Sequence, residues 1–151
     1  YIGSSDGIWK SSDLGDNFDL ISGTYIDEIS NYGAFAVSDV NSDVILYGDI
    51  DTHMSFDGGA NFEKTTFWSE GNSNYNQTGT YVHADIRGAV CIDGVFWVNT
   101  DGMLCKSEDN GVTWEILEGQ SIRENYCLGA SQSNHFRSIA GSQDNGTSIK
   151  N

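Results

Sequence analysis

Proline is absent from all 151 residues, and only 7 Lys and Arg stand against 22 Asp and Glu, a formal charge of −15. Each shortage excludes something. A chain this acidic repels nucleic acid and anionic membrane surfaces, so neither is an expected partner. No run approaches the roughly 18 apolar residues of a membrane-spanning helix, so no membrane insertion is expected. No basic-then-apolar leader follows Tyr1, and the chain is expected to start inside a longer gene product. Cysteine is scarce: Cys91, Cys105 and Cys127 cannot all pair within the chain, and none stands in a CxxC spacing. They read as buried strand residues, with a disulfide not favoured. No Cys/His ligand spacing, Gly-rich phosphate loop or Ser-His-Asp order is found, so no metal and no cofactor is expected. Acidity, scarce lysine and the sequons Asn76-Gln77-Thr78 and Asn145-Gly146-Thr147 suit a secreted or cell-surface protein.

What is abundant is turn chemistry. Eighteen glycines, with many Asp, Asn and Ser, describe short turns, and 38% hydrophobic with 12% aromatic residues are enough for a core. Together these predict an all-β chain.

One turn recurs. "SSDLGDNF" (11–18), "SFDGGANF" (55–62) and "SEDNGVTW" (107–114) share the template S-x-D-x-G-x-[NT]-[FW], with the Asp positions 44 and 52 residues apart. The box consists of Ser11, Asp13, Gly15 and Phe18, then Ser55, Asp57, Gly59 and Phe62, then Ser107, Asp109, Gly111 and Trp114. An Asp heading a tight turn accepts backbone N–H groups a few residues on, and a Ser hydroxyl two positions earlier joins the network. The Gly takes a positive φ. The aromatic residue is expected to be buried between neighbouring sheets, for about 1.5–3 kcal/mol. Alternating strands precede each box ("YIGSSDGIWK", "LYGDIDTHM", "FWVNTDGMLCK") and another follows it ("FDLIS", "FEKTTF", "WEILE").

The boxes resemble the Asp-box, or BNR, repeats of sialidases, sortilin-type receptors, photosystem assembly factors and xyloglucan-degrading glycosidases. The resemblance implies a β-propeller of four-stranded antiparallel blades, with the box at the turn between third and fourth strands, away from the functional face. Asp13, Asp57 and Asp109 are then structural and bind no metal. A second run, "YVHADIRGAVCID", "NTDGMLCKSEDNGVTW" and "RENYCLGASQSNHFRSIAGSQDNGTS", is similar to segments of large secreted bacterial propeller proteins, though the prolines usual there are missing.

Strand counting over 1–151 predicts a partial blade over about 1–24, blades over about 25–69 and 70–119, and a partial one over 120–151. Propellers close with about four to eight blades, so the chain is expected to be a fragment whose partners include the remaining blades of the same polypeptide. The inner strand of the third unit carries His83, Asp85 and Arg87 in alternation. Strand geometry would aim all three at or beside the central channel, joined by Tyr126 (near Arg123) and by Gln143 and Asp144. This set is either a polar ligand site, with Asp85 a candidate acid and Arg87 an anion anchor, or a charge network tying blades together. The loop "WSEGNSNYNQTGTY" (68–81) either joins blades or offers Trp68, Tyr75 and Tyr81 as stacking surfaces for a sugar. "DVNSD" (39–43) and "DIDTH" (49–53) read as turns rather than calcium loops, and His53 and His135 as solvated turn residues.

Two functions remain open. One is a binding, adhesion or display module for a polysaccharide or protein. The other is a glycoside hydrolase acting on a polysaccharide, which needs a carboxyl pair about 5–9.5 Å apart.

Overall fold

The computed structural model describes residues 1–4, 6–22, 33–70, 79–119, 125–142 and 146–150. The chain divides into two compact units, Tyr1–Gln120 and Ser121–Asn151.

In the first unit, three antiparallel sheets follow one another along the chain. The first joins β1 (Ile2–Ser4), β2 (Gly7–Lys10) and β3 (Asp19–Ser22) in sequence order. The second joins β4 (Ala34–Val37), β5 (Ile45–Gly48), β6 (Thr52–Ser55) and β7 (Glu63–Lys64). The third joins β8 (Ile86–Ile92), β9 (Val95–Thr100), β10 (Leu104–Ser107) and β11 (Glu115–Ile116). The only helical turn among the described residues is a 3-10 turn over Trp68–Glu70. The second unit is a three-stranded antiparallel sheet of β12 (Asn125–Ala130), β13 (Ser138–Ser142) and β14 (Thr147–Lys150).

Burial follows from stacking. In β9 the inward residues Phe96, Val98 and Thr100 alternate with more open ones, as a strand covered on one face requires. In β5 all four residues, Ile45 to Gly48, are buried, because the middle sheet is covered on both faces. A Cβ on Gly59 would meet Ile8, Ile21 and Ile45, placing the first sheet on one side. A Cβ on Gly48 would stand 2.9 Å from Ile86 Cβ, placing the third sheet on the other. The core of Leu46, Met54, Val82, Ile86, Phe96, Val98, Cys105 and Trp114 fills the space between the second and third sheets. Each large member contributes about 1.5–3 kcal/mol.

Several expectations are corrected here. Trp114 is 6% exposed, but Phe18 is 38% exposed and Phe62 half-buried. Trp114 lies in the core between two sheets, whereas Phe18 borders an open concavity with Tyr1, Ile2 and Leu14. All three cysteines are free thiols; Cys91 and Cys105 are buried, whereas Cys127 is exposed because β12 is exposed along its whole length. His53 lies on β6 rather than in a turn, and half-buried; His135 is in an exposed turn.

The box glycines separate two costs. At Gly15 (φ 98°) a Cβ would meet only the Phe18 ring at 4.0 Å, while at Gly111 (φ 80°) it would lie 2.7 Å from Met54 Cγ. Gly15→Ala is expected to cost about 1 kcal/mol from backbone strain alone, and Gly111→Ala about 2–4 kcal/mol because overpacking is added. Urea denaturation of the two variants checks the order.

Candidate functional site

Up-and-down connection of the strands puts every second turn at the same end of the first unit. The box turns share one end with the β4–β5 and β8–β9 turns. At the other end are the β5–β6 turn (49–51), the β9–β10 turn (101–103) and the segment entering β8.

The box end is a set of closed hydrogen-bond networks. Ser11 Oγ donates to Asp13 Oδ1 at 2.8 Å and accepts from Gly15 N at 2.7 Å, while Asp13 Oδ1 accepts from Asn17 N at 2.9 Å and Oδ2 from Asn17 Nδ2 at 2.7 Å. Ser55, Asp57, Gly59 and Asn61 repeat this atom for atom. Ser107, Asp109, Gly111 and Thr113 do so with a hydroxyl replacing the amide, Thr113 Oγ1 donating to Asp109 Oδ2 at 2.6 Å. Acceptance by a carboxylate favours its charged form. The Asn17 backbone and side-chain donors, then Ser11, hold Asp13 down to about 2, and Asn61 and Ser55 do the same for Asp57. For Asp109, burial works in the opposite sense, but bonds from Thr113 and Ser107 outweigh it and the pKa is lowered. Beside these turns, Asp39 accepts from Asp93 N (2.7 Å) and Gly94 N (2.9 Å), so the "DVNSD" carboxylate caps the β8–β9 turn of the neighbouring sheet. Among the described residues no cluster of His, Cys, Asp or Glu is arranged to hold a metal.

At the opposite end, charged side chains pair with one another. His83 Nδ1 lies 2.7 Å from Asp101 Oδ1, with 38% and 9% of their side chains exposed. The same Nδ1 lies 3.2 Å from the Ala84 carbonyl oxygen. Asp85 Oδ2 is 3.7 Å from Arg87 Nη2. Lys64 Nζ is 2.6 Å from Asp51 Oδ2, whose Oδ1 accepts from Trp68 N at 2.9 Å and from Thr66 Oγ1 at 3.2 Å. Trp68 is 48% exposed and Tyr81 half-buried. The two sheets meet here through Ile86 N donating to Asp49 O.

The alternation expected of His83, Asp85 and Arg87 is corrected. Strand β8 begins at Ile86, so His83 and Asp85 precede it, and Asp85 sits at φ 63°, which breaks the pleat. Arg87 is the extra residue of a bulge between Ile86 and Gly88. His83 therefore turns to Asp101, and Asp85 to Arg87. Tyr126 lies exposed on β12; Arg123, Gln143, Asp144 and Tyr75 lie outside the described residues.

Three residues here escaped sequence reasoning. Asp101 and Asp51 read as turn formers, and their signal was position, each in the turn between the second and third strands of its sheet. The third is Tyr47, cross-strand partner of His53, with ring centroids 6.3 Å apart. Among the described residues, Tyr47 Oη and His53 Nδ1 are buried without a hydrogen-bond partner. Burial, then Asp49, pushes Tyr47 up to about 12; burial, then Lys64, lowers His53.

No family model matches the chain, and no curated protein matches it. Among solved structures, it resembles YCF48 bound to a D1 peptide, with TM-score 0.53 and 14% identity over 98% of this chain and 45% of that one. It also aligns with the GH74 enzyme of Niastella koreensis, with TM-score 0.45 and 15% identity over 97% of this chain and 25% of that one. The fold is that of β-propeller blades. The chain spans less than half the length of either structure.

Two outcomes follow from the box geometry. Asp13 and Asp57 have folded pKa values of about 2 against an ordinary 3.8, so their stabilisation is present above about pH 4 and lost as the pH falls towards 2. Asp57→Asn should flatten the fall of the urea midpoint over that interval. The residue before the box Gly is also left-handed: Leu14 (φ 63°), Gly58 (φ 73°) and Asn110 (φ 58°). Leu is the strained choice, and Leu14→Asn should stabilise the fold by about 0.5–1 kcal/mol in chemical denaturation.

Proposed function

We propose that the chain is part of a binding propeller, secreted or displayed at the cell surface, that takes a protein or peptide ligand at the end opposite the box turns. The observation that carries this reading is the contrast between the ends. Box carboxylates are consumed by backbone and side-chain donors of their own turns. At the opposite end His83, Asp85, Arg87 and Lys64 keep 38%, 41%, 20% and 45% of their side chains exposed, His83 against Asp101, Lys64 against Asp51 and Asp85 near Arg87. Charge pairs fixed on rigid turns, with donors and acceptors still facing water, suit a polar extended ligand such as a peptide. A structure of the same fold has been solved with a peptide bound, which supports the reading.

Binding of the chain to peptide and glycan arrays tests it. Arg87→Gln and Asp101→Asn should each weaken captured peptide by about tenfold with the melting temperature held within about 2 °C, while Asp57→Asn should lower the melting temperature and leave affinity unchanged. Release of sugar from a polysaccharide, abolished by Asp85→Asn, would instead favour the glycosidase reading.

A further inference from the structure

Tyr47 and His53 are a polar pair that the networks at either end leave out. Strand β6 presents His53 between two neighbours in register, Tyr47 on β5 and Lys64 on β7. Residues directly opposite one another share a face, so all three side chains stand on the same side of the second sheet. Tyr47 is 4% exposed, and neither Tyr47 Oη nor His53 Nδ1 has a hydrogen-bond partner among the described residues. The charged and titratable groups around His53 are Tyr47, Lys64, and Asp49 and Asp51 of the β5–β6 turn. The first sheet meets this face through Ile8 and Ile21.

A neutral imidazole tolerates this setting. A protonated one donates through both nitrogens, and the proton on Nδ1 would be buried with no acceptor. It would also place a cation directly across from Lys64, and like charges so opposed are destabilising. Lys64 is itself tethered, with Nζ 2.6 Å from Asp51 Oδ2 and 5.4 Å from the centre of the Phe67 ring. Burial and Lys64 lower the His53 pKa, outweighing Asp51 and Asp49, which act in the opposite sense. The strand that carries Lys64 is short. Strand β7 pairs with β6 as Met54–Glu63 and His53–Lys64, so the His53–Lys64 pair is half of its ladder. Beyond it, Thr65 N donates to Thr52 O at 2.8 Å and Trp68 N to Asp51 Oδ1 at 2.9 Å.

We propose that His53 and Lys64 form a proton-operated catch on the outer strand of the second sheet: proton uptake by His53 sets two cations face to face and releases β7 and the Trp68 turn from β6. The closed form holds His53 neutral, and the open form lets it take a proton at its ordinary value of 6.5. Below about pH 6.5 the open form therefore binds more protons, and closure, at full strength above that value, weakens as the pH falls. The catch lies at the end proposed to take a ligand and works without one.

The test is amide-resolved hydrogen exchange of the whole chain between about pH 7.5 and 5.5, corrected for the intrinsic pH dependence of exchange. Protection of the Thr65 and Trp68 amides should fall by up to about tenfold per pH unit below about pH 6.5, while the β9 and β10 amides hold steady. His53→Phe, which keeps a ring and removes the titrating group, should abolish the fall. Lys64→Gln, at a side chain 45% exposed, should reduce it to less than about threefold per pH unit. Titration of the His53 ring by NMR should give a midpoint below 6.5, and with the Lys64 variant it keeps the test decisive should the Phe variant not fold. A ring that titrates at or above 6.5, a fall shared equally by β9 and β10, or no fall at all would overturn the proposal. So would a fall that persists in His53→Phe or is unchanged in Lys64→Gln.

Discussion

The arrangement rests on one small motif, a Ser hydroxyl and an Asp carboxylate closing a turn whose backbone would not close alone. Two consecutive left-handed residues reverse the chain, a conformation that costs an ordinary L-residue about 1–2 kcal/mol. The two Asp oxygens take the backbone and side-chain donors of the residue four positions on, and the Ser oxygen takes the Gly N–H. The energetic case is thus a trade of backbone strain against charge-assisted hydrogen bonds, repeated three times. The trade also sets sheet spacing. Gly59 and Gly111 carry no side chain where the turn meets the Ile8–Ile21–Ile45 group and Met54. A turn built from L-residues would hold the sheets further apart.

At the box end the three Asp carboxylates are committed to holding their own turns. Asp39 extends this commitment across sheets by capping the Asp93–Gly94 turn, its pKa lowered by the Gly94 and Asp93 backbone donors. The other end has no such motif. Its turns are held by backbone bonds and by Thr100 and Asp51, with His83 set against Asp101 and Asp85 near Arg87. The same meander therefore produces a stapled end and an end with chemistry to spare.

The fold was largely legible in the sequence because its signals are local. The box template, period-2 strands and Gly-Asx turns are each short-range signals, and the structure places sheets where they point. The site was less legible for reasons that are equally physical. Alternation is a property of strands, and it failed at Asp85 because one left-handed residue and a bulge at Arg87 rotate the side chains out of sequence. The His83–Asp101 contact joins the segment entering β8 to the turn that follows β9, two places far apart in sequence. His53 looked solvated because it follows "DIDT", yet it pairs with Tyr47 on the face turned to the first sheet. Phe18 shows the converse: an identical local signal gives different burial when the packing around it differs.

The acidity of the chain takes a different meaning in this light. A surplus of carboxylates suggests a surface that attracts cations, and for solvated side chains that inference would hold. Asp13, Asp57, Asp109 and Asp39 instead act as hydrogen-bond acceptors for turns, with their pKa values held down by those bonds. Asp51, Asp85 and Asp101 are each neighboured by a basic side chain. Much of the negative charge is therefore already engaged with the protein itself. Its long-range field still repels polyanions, since a hydrogen-bonded carboxylate keeps its charge. On the proposed reading, short-range recognition falls to the few side chains in the first unit that keep an open face at the end opposite the boxes.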